Sequence, residues 1–373
     1  MKKLKLVTII GTRPEIIRLS VIIKKCDQFF DHTLIHTGQN HDYELNEVFF
    51  KDLNIRKPNY FFEVASKSLG DTLGNIISKS YEILNKIKPD ALLVLGDTNS
   101  SLSILSAKRL KIPIFHMEAG NRCFDLNVPE EINRKIADHL ADINLTYSEN
   151  SRRYLLSEGF RKDHVFCTGS PLKEVLDHFS SSIEKSKILE ELDLTSKNYI
   201  VASIHREENL DIDNNFAQII DAFNTISNHY SKPILFSTHP RTKNKLISTN
   251  INSDSIKFIK PLGFFDYVKL QASAFVTLSD SGTISEESAM MNFPAVSVRT
   301  STERPEAVDS GVITIGNINS DSILQATEIA TNFSNTNSQE LPSEYKSLNV
   351  SEKIIKIIQG YTPIVNLETW KKK

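Results

Sequence analysis

Cysteine is scarce in this chain of 373 residues, and its placement follows no framework. Cys26, Cys123 and Cys167 are odd in number and lack the spacing of metal-binding or redox pairs. A disulfide scaffold is therefore not expected, and the three side chains are interpreted as reduced thiols.

A long apolar run is also missing. No stretch approaches the ~20 apolar residues that a membrane helix needs, and the apolar segment 4–10 is short and contains Lys5. We interpret that segment as a first strand rather than a signal peptide. The expected protein is soluble and cytoplasmic, with no membrane partner.

Net charge is small as well. The 44 Lys and Arg residues nearly balance the 46 Asp and Glu residues, which gives a formal charge of −2. Such a balance offers no cationic surface for a phosphate backbone, so nucleic acid is not an expected partner. The hydrophobic content of 40% is ordinary for a globular protein, and 373 residues exceed what one hydrophobic core usually serves. Two domains are expected.

Short β-branched segments alternate with longer segments of helical periodicity, which is typical of βα units that build parallel sheets. The series begins anew after the turn at 169–171. It predicts an α/β protein of two doubly wound Rossmann-like domains facing a cleft, over 1–170 and 171–355. A segment of about 356–373 is separately expected to pack back on the first domain. The predicted strands are 4–10, 32–36, 91–95, 113–117 and 143–147, then 199–203, 233–237, 273–278, 295–299 and 312–315.

Three acidic residues in the first half carry the strongest functional signal. Asp97 and Glu118 lie at the ends of two apolar runs, and Glu130 lies in the loop that follows. In open α/β sheets ligands bind at the carboxyl ends of the strands, so these side chains are expected to face the cleft. Carboxylates in a cleft can move protons, which predicts an enzyme.

The sequence GTRPE at 11–15 follows the first predicted strand. Thr12 and Glu15 have the spacing of a capping box that opens a helix. A helix N-terminus beside the Arg13 guanidinium suits a diphosphate or nucleotide, although a well-capped helix without a ligand explains the pattern equally. Arg18 lies farther along this helix and is directed either to the cleft or to the surface.

A second anion site is predicted at 279–287, which follows an apolar strand and precedes a short helix. Gly282 permits close backbone approach, and the neighbouring hydroxyls add donors. Glu287 lies one turn into the helix, where a carboxylate can accept two ribose hydroxyls. Arg304 is either a further cation beside this site or part of a surface loop. One anion site in each domain implies a ligand bound across the cleft.

The histidines are interpreted by their neighbours. His205 and Arg206 follow the predicted strand 199–203, and a charged pair at the carboxyl end of a strand is expected to face a ligand. His116 is a lone histidine within a strand and is interpreted as structural.

These motifs, in this order, resemble the non-hydrolysing UDP-N-acetylglucosamine 2-epimerase family. They are GTRPE at 11–15, GDT at 96–98, EAG at 118–120, PEE at 129–131, HR at 205–206, DSG at 280–282 and TERPE at 302–306. The resemblance implies a two-domain fold of the GT-B type and an isomerase acting on a UDP-2-acetamido sugar. Such an enzyme inverts C2 by eliminating UDP to form a glycal and then adding UDP back. A homodimer is expected, and no metal, nicotinamide or flavin cofactor is required.

The resemblance also assigns roles to residues. Proton transfer falls to Asp97, Glu118 and Glu130, with His205 close to the sugar and diphosphate. Thr283 replaces the second glycine of the family's Ser-Gly-Gly pattern, and Arg18 replaces a family lysine. The residues implied to bind UDP are Arg13, Arg18, Arg206, Tyr267, Ser281, Gly282, Thr283, Glu287 and Arg304.

Three segments resemble one branch of the family, which converts UDP-2-acetamido-2,6-dideoxy-L-talose to UDP-N-acetyl-L-fucosamine for capsule or O-antigen synthesis. They are GNRCFD at 120–125, INRK at 132–135 and HREEN at 205–209. The alternative within the family is interconversion of UDP-N-acetylglucosamine and UDP-N-acetylmannosamine, followed by a hydrolysing relative. A GT-B glycosyltransferase and a non-catalytic nucleotide-binding protein also stay open, although the three acids favour proton chemistry.

Overall fold

The computed structural model describes residues 3–39, 43–210, 214–238, 242, 245–246, 255–333 and 341–372, without the side chains of 43–47, 207 and 208. The chain forms two compact units. The first unit comprises residues 1–178 and 346–373, and the second comprises 179–345. Within the described residues, no helix is long and apolar enough to cross a membrane.

Strands and helices alternate along both units. The described strands are β1 Lys5–Ile10, β2 Asp31–His36, β3 Tyr60–Phe61, β4 Ala91–Leu95, β5 Ile114–Ala119, β6 Ile143–Thr146, β7 Val165–Cys167, β8 Ile200–Ser203, β9 Ile234–Ser237, β10 Ile256–Ile259, β11 Thr277–Ser279, β12 Ala295–Ser297 and β13 Thr314–Ile315. The described helices are α1 Arg13–Phe29, α2 Tyr43–Asp52, α3 Leu69–Ile87, α4 Ile104–Arg109, α5 Pro129–Leu140, α6 Glu149–Ser157, α7 Leu172–His178, α8 Ser180–Glu184, α9 Ile188–Glu191, α10 Glu207–Leu210, α11 Asn215–Tyr230, α12 Phe264–Ser273, α13 Ile284–Met291, α14 Pro305–Asp309, α15 Ser320–Phe333 and α16 Val350–Glu368. Short 3-10 turns lie at Asn99–Ser103, Lys162–His164 and Ser343–Lys346.

Local sequence explains these elements. All five residues of β4 are apolar and buried, as expected for a parallel strand covered on both faces by helices. Helix α3 begins at Ser68, whose hydroxyl oxygen accepts the Asp71 N–H, and it ends at Lys88 in the left-handed conformation.

The first sheet has the strand order β3-β2-β1-β4-β5-β6-β7, with parallel pairing throughout. The order reverses direction between β1 and β4, which makes this the topological switch point. Ligands of doubly wound sheets bind outside the carboxyl ends of the strands at such a point. Here the chain continues into Gly11 after β1 and into Gly96 after β4.

The second sheet has the order β10-β9-β8-β11-β12-β13 and is also parallel. Its switch point lies between β8 and β11, where the chain continues into Ile204 and Asp280. Each unit has a core of its own. Buried side chains of the first include Val7, Ile9, Ile35, Leu92 and Ile114, and those of the second include Ile200, Phe223, Phe236, Leu278 and Val296.

The unit limits differ from the predicted limits of 1–170 and 171–355. Helix α7 packs against α1, so the first unit extends to His178. The chain returns to this unit at Lys346, and α16 packs along α1 with Ile354 and Ile358 fully buried. These contacts join residues far apart in sequence, and local periodicity does not report them.

Two further differences concern strands. The edge strands β3, β7 and β10, each of two to four residues and paired on one side only, lie outside the predicted set. The strand predicted over 273–278 starts too early: Ser273 still belongs to α12, and β11 begins at Thr277.

Candidate active site

Asp97 lies in the turn after β4, at the switch point of the first sheet. Gly96 before it has φ of +72°, a conformation that glycine favours. The Asp97 side chain is 22% exposed, and its Oδ2 accepts hydrogen bonds from Arg134 Nε at 2.9 Å and Nη2 at 2.5 Å. The Asn133 amide donates to the Asp97 carbonyl at 2.9 Å. Helix α5, which carries both donors, therefore holds this turn in place.

Glu118 lies in β5 in an unusual backbone conformation. Its φ is +64°, and the pairing of β5 with β6 shifts register between Met117 and Ala119. A non-glycine residue in this region costs on the order of 1–3 kcal/mol, and such strain concentrates at functional sites. Bulges of this kind re-aim a side chain, and here Glu118 Oε2 meets Arg18 Nη1 at 2.5 Å. Arg18 is 4% exposed, so it points inwards and not to the surface.

The first turn of α5 carries two consecutive glutamates in different surroundings. Glu130 is half-buried. Glu131 is fully buried, and its Oε2 accepts the Cys123 N–H at 3.1 Å and Arg134 Nη1 at 3.0 Å. Burial by itself raises the pKa of Glu131, but the Cys123 N–H and the Arg134 charge bring it below its ordinary value. Arg134 therefore joins Glu131 to Asp97, a link absent from the sequence prediction.

Glu15 in the first turn of α1 is buried. The predicted capping box is wrong in the half that assigns the cap to the Thr12 side chain. The Thr12 hydroxyl does not cap the helix but donates to the Glu15 carboxylate at 2.7 Å. The same carboxylate accepts the Gly11 N–H at 3.0 Å, the Thr98 hydroxyl at 3.3 Å and the Ser100 hydroxyl at 2.5 Å. Burial raises the pKa of Glu15 to about 7 despite these donors. Glu15 ties the loop after β1 to the turn after β4.

Two arginines predicted to bind UDP lie on α1. The half-buried Arg13 has its guanidinium carbon 5.9 Å from the centre of the Phe49 ring. The guanidinium carbon of Arg18 is 5.5 Å from the centre of the Tyr147 ring. Cation–π contacts of this kind orient the guanidinium planes. Two oriented guanidinium groups on the first turns of a helix suit an anionic ligand.

Asp280 organises the loop that follows β8 in the second unit. Its buried carboxylate accepts the His205 N–H at 3.0 Å, the Arg206 N–H at 2.9 Å and the Asn209 amide at 3.0 Å. The His205 side chain is 39% exposed, with Nδ1 3.2 Å from Asp280 Oδ1. Asp280 thereby fixes His205 and Arg206 at the second switch point, a role that sequence analysis did not assign to it.

Gly282 lies where a side chain closely approaches the backbone. A Cβ at this position would be 2.2 Å from Glu303 Oε1. Glu303 is 6% exposed and pairs with Arg299 at 2.8 Å and with Arg206 at 3.4 Å. These ion pairs hold Glu303 in place, so the close approach requires glycine.

Hydroxyl groups surround the start of α13. Ser281 Oγ and Thr283 Oγ1 are 2.9 Å apart, and Thr283 donates to Glu287 Oε1 at 2.8 Å. The Gln271 amide donates to the other Glu287 oxygen at 3.0 Å. Tyr267 on α12 is close by: burial raises the pKa of its hydroxyl, and the Glu287 charge raises it further. The predicted residues Tyr267, Ser281, Thr283 and Glu287 therefore lie together.

Arg304 lies inside a buried charged cluster. It is 2% exposed, and its Nη2 is 3.2 Å from Glu286 Oε2. Glu306 on α14 accepts the Tyr345 hydroxyl at 3.0 Å, and burial raises its pKa although the Arg304 charge opposes the rise. Arg304 is therefore not part of a surface loop. Among the residues that the structure describes, no group of three or more His, Cys, Asp or Glu side chains is arranged to hold a metal ion.

These features define a class of protein with two doubly wound parallel α/β domains, with acid–arginine pairs at one switch point and a hydroxyl-rich loop at the other. Comparison with known proteins narrows the class. Residues 24–359 match the family model described as UDP-N-acetylglucosamine 2-epimerase. A UDP-N-acetylglucosamine 2-epimerase homolog from Methanococcus maripaludis is 37% identical over 367 residues, which are 96% of this chain and 100% of that protein.

Solved structures give the same result. The structure of UDP-N-acetylglucosamine 2-epimerase from Rickettsia bellii is 46% identical with a TM-score of 0.92, covering 99% of this chain and 100% of that one. The Methanocaldococcus jannaschii UDP-GlcNAc 2-epimerase in complex with UDP-GlcNAc and UDP is 33% identical with a TM-score of 0.90, covering 95% and 99%. The chain belongs to the UDP-N-acetylglucosamine 2-epimerase family and is an isomerase. The predicted family, fold class and enzyme class are confirmed.

Proposed function

We propose that this enzyme inverts C2 of a UDP-linked 2-acetamido sugar by eliminating UDP and adding it back. One observation carries the proposal: two carboxylates at neighbouring strand ends have separate arginine partners, Asp97 with Arg134 and Glu118 with Arg18. Inversion at C2 requires a group that removes a proton from one face and a group that delivers a proton to the other. Two independently held carboxylates supply that pair.

The reaction balances without an external oxidant or reductant. A carboxylate takes the C2 proton, the C1–O bond breaks, and UDP leaves with the bonding electrons while C1 and C2 form the double bond of the glycal. The UDP oxygen then attacks C1, and C2 receives a proton on the opposite face. We assign proton transfer to Asp97, Glu118 and Glu130, and we place His205 beside the sugar and diphosphate.

The nucleotide is assigned chiefly to the second unit. The N–H groups at the start of α13, around Ser281, Gly282 and Thr283, suit a phosphate, because a helix N-terminus carries unpaired donors and a partial positive charge. Glu287 suits the ribose, since its carboxylate already accepts hydroxyl and amide donors. Tyr267 is assigned to the uracil. Positive charge for the diphosphate comes from Arg13, Arg18, Arg206 and Arg304.

The substrate we propose is UDP-2-acetamido-2,6-dideoxy-L-talose, with UDP-N-acetyl-L-fucosamine as the product for capsule or O-antigen synthesis. The support is the resemblance of segments 120–125, 132–135 and 205–209 to that branch of the family. Two of these segments are held rigidly: Arg122 bonds Asp138 and Glu158, and Arg134 bonds Asp97 and Glu131. We also propose a homodimer, on the resemblance alone.

A second candidate is interconversion of UDP-N-acetylglucosamine and UDP-N-acetylmannosamine. It is favoured by the M. jannaschii relative, whose structure contains UDP-GlcNAc. Incubating the protein with each of the two UDP-sugars in separate reactions, without acceptor, and identifying products by NMR distinguishes these readings. We expect kcat/KM for the talo sugar to be at least about tenfold higher than kcat/KM for UDP-N-acetylglucosamine. A higher kcat/KM for UDP-N-acetylglucosamine would contradict the proposed substrate. Turnover that requires an added acceptor would contradict the proposed epimerisation.

A further inference from the structure

A network of buried hydrogen-bonded groups links the backbone segments beside the proposed acids Asp97 and Glu118. At its centre is Asp138 on α5, which is fully buried. Its carboxylate accepts the Gly120 N–H at 3.2 Å and Arg122 Nη1 at 2.7 Å, and it lies 2.9 Å from His116 Nδ1. Gly120 comes two residues after Glu118, so Asp138 holds the segment that follows this acid.

His116 extends this network to the backbone beside Asp97. Its Nε2 lies 2.8 Å from the Gly96 carbonyl oxygen, while its Nδ1 faces Asp138. A carboxylate and a carbonyl are both acceptors, so both ring nitrogens carry hydrogen and the ring is an imidazolium. Burial alone lowers the pKa of His116, but Asp138, the Gly96 carbonyl and the Asp97 charge raise it above its ordinary value.

The geometry connects three elements. The Gly96 carbonyl belongs to the peptide that leads into Asp97, and Gly96 itself is in the left-handed conformation. Asp138 lies on the same helix as Arg134, the arginine that pairs with Asp97. The charged groups around the imidazolium are Asp138 from α5, Asp97 after β4 and, through Asp138, the guanidinium of Arg122. None of these contacts requires a ligand.

We propose that His116 and Asp138 are positioning residues for epimerisation: Asp138 holds the imidazolium, and the imidazolium holds the Gly96–Asp97 peptide at a fixed distance from Glu118. This inference rests on the proposed function. It assigns to His116 a task beyond packing, because its Nε2 lies within hydrogen-bond distance of the Gly96 carbonyl. A displacement of about 1 Å in a reacting group can reduce rate by ~100-fold.

Two substitutions separate the two ends of the imidazole. His116→Asn places an amide near the Nδ1 position and can keep the Asp138 contact, whereas His116→Gln reaches the Nε2 position and can keep the Gly96 contact. We expect kcat of H116Q to stay within about threefold of wild type and kcat of H116N to fall about 30-fold to 100-fold, with KM and UDP affinity within about twofold. The matched control is His139→Asn on α5, the helix that carries Asp138; the His139 side chain is 57% exposed.

The outcome that would overturn the proposal is an equal loss of kcat in H116N and H116Q that parallels their loss of thermal stability. Unchanged kcat in H116N would overturn it as well. Nitrogen-15 NMR of the histidine rings gives a second readout, with both nitrogens of His116 protonated at pH 7 as the expected result and a neutral tautomer as the contradictory one. If wild-type protein epimerises no UDP-2-acetamido sugar, the proposed function fails, and the NMR result remains separately measurable.

Discussion

Single residues at the first switch point differ in the charge that faces them. Asp97 and Glu118 each contact an arginine, whereas the Glu15 carboxylate accepts hydrogen bonds from hydroxyl groups and a backbone N–H. Arginine keeps its charge throughout the physiological range, so it orients a carboxylate without competing for the proton. Asp97 and Glu118 are therefore suited to proton transfer, and Glu15 to holding loops.

Replacing the proposed acids by their amides tests this division. Asp97→Asn and Glu118→Gln keep size and hydrogen-bond geometry but remove the proton-accepting charge. We expect kcat to fall by ~10²–10⁴-fold in each variant, because a positioned acid or base contributes that much. UDP affinity, measured by calorimetry, should stay within about threefold. Full turnover in either variant would remove that residue from the mechanism.

The raised pKa of Glu15 predicts that the free energy of unfolding depends on pH. Its pKa is raised to about 7 from an ordinary 4.5, so the folded protein holds the proton more tightly than the unfolded chain. The resulting stabilisation is fully present below about pH 4.5 and is lost as pH rises through 7. The change amounts to about 3 kcal/mol. Glu15→Gln mimics the protonated form, so its free energy of unfolding should gain on wild type by about this amount between pH 5 and 8. Parallel curves for the two proteins would contradict the burial effect.

The sequence indicates the residues of this site that end strands, and less about those that support them. Asp97, Glu118 and His205 follow apolar runs, and that position alone directs them to the carboxyl edge of a sheet. Arg134 and Asp138 lie within a helix and have no such signal, because Asp97 and Arg122 lie 37 and 16 residues away from them along the chain. The positive φ of Glu118 could not be predicted from the sequence either, since glutamate has no preference for that conformation.

At the scale of elements, the loop before α13 combines a close approach with a helix start. Gly282→Ala would put a Cβ 2.2 Å from Glu303 Oε1, and the ion pairs of Glu303 resist its movement. We expect UDP affinity to fall about tenfold, because displacing this loop removes N–H donors from the phosphate.

The control for this substitution is Gly74→Ala in α3. A Cβ there meets nothing within 4 Å. It should leave UDP affinity unchanged and raise stability by about 0.5–1 kcal/mol, as glycine is a poor residue in a helix. Equal UDP affinities of both variants and wild type would contradict the proposed phosphate site.

Most strands are predictable here from their apolar runs, and some edge strands are not. Strand β4 was placed at 91–95 from its apolar run, because five buried residues suffice to show it. Strand β3 has two residues, and its pairing with β2 defines it, whereas the equally short β13 lies within the predicted strand 312–315. Helix α12 extends to Ser273 and Ala274 after it is extended, so the strand that follows starts later than predicted.

At the scale of the whole chain, the C-terminal helix belongs to the unit that the N-terminus begins. Helix α16 packs on α1, and Ile358 is fully buried there, whereas Leu367 on the same helix is 64% exposed. Ile358→Ala should lower the free energy of unfolding by about 2–5 kcal/mol, the usual effect of truncating a buried aliphatic side chain. Leu367→Ala should change it by less than about 0.5 kcal/mol. Denaturant titration measures both, and equal effects would contradict this packing.

In the proposed reaction, C2 loses its proton to the enzyme and regains one from groups that exchange protons with solvent. Incubation of wild-type protein with the UDP-2-acetamido sugar in D₂O, followed at C2 by NMR, tests it most directly. We expect the product to carry deuterium at C2 and the remaining substrate to acquire deuterium as equilibrium is approached. Epimerised product that retains its original hydrogen at C2 would contradict proton exchange at this carbon.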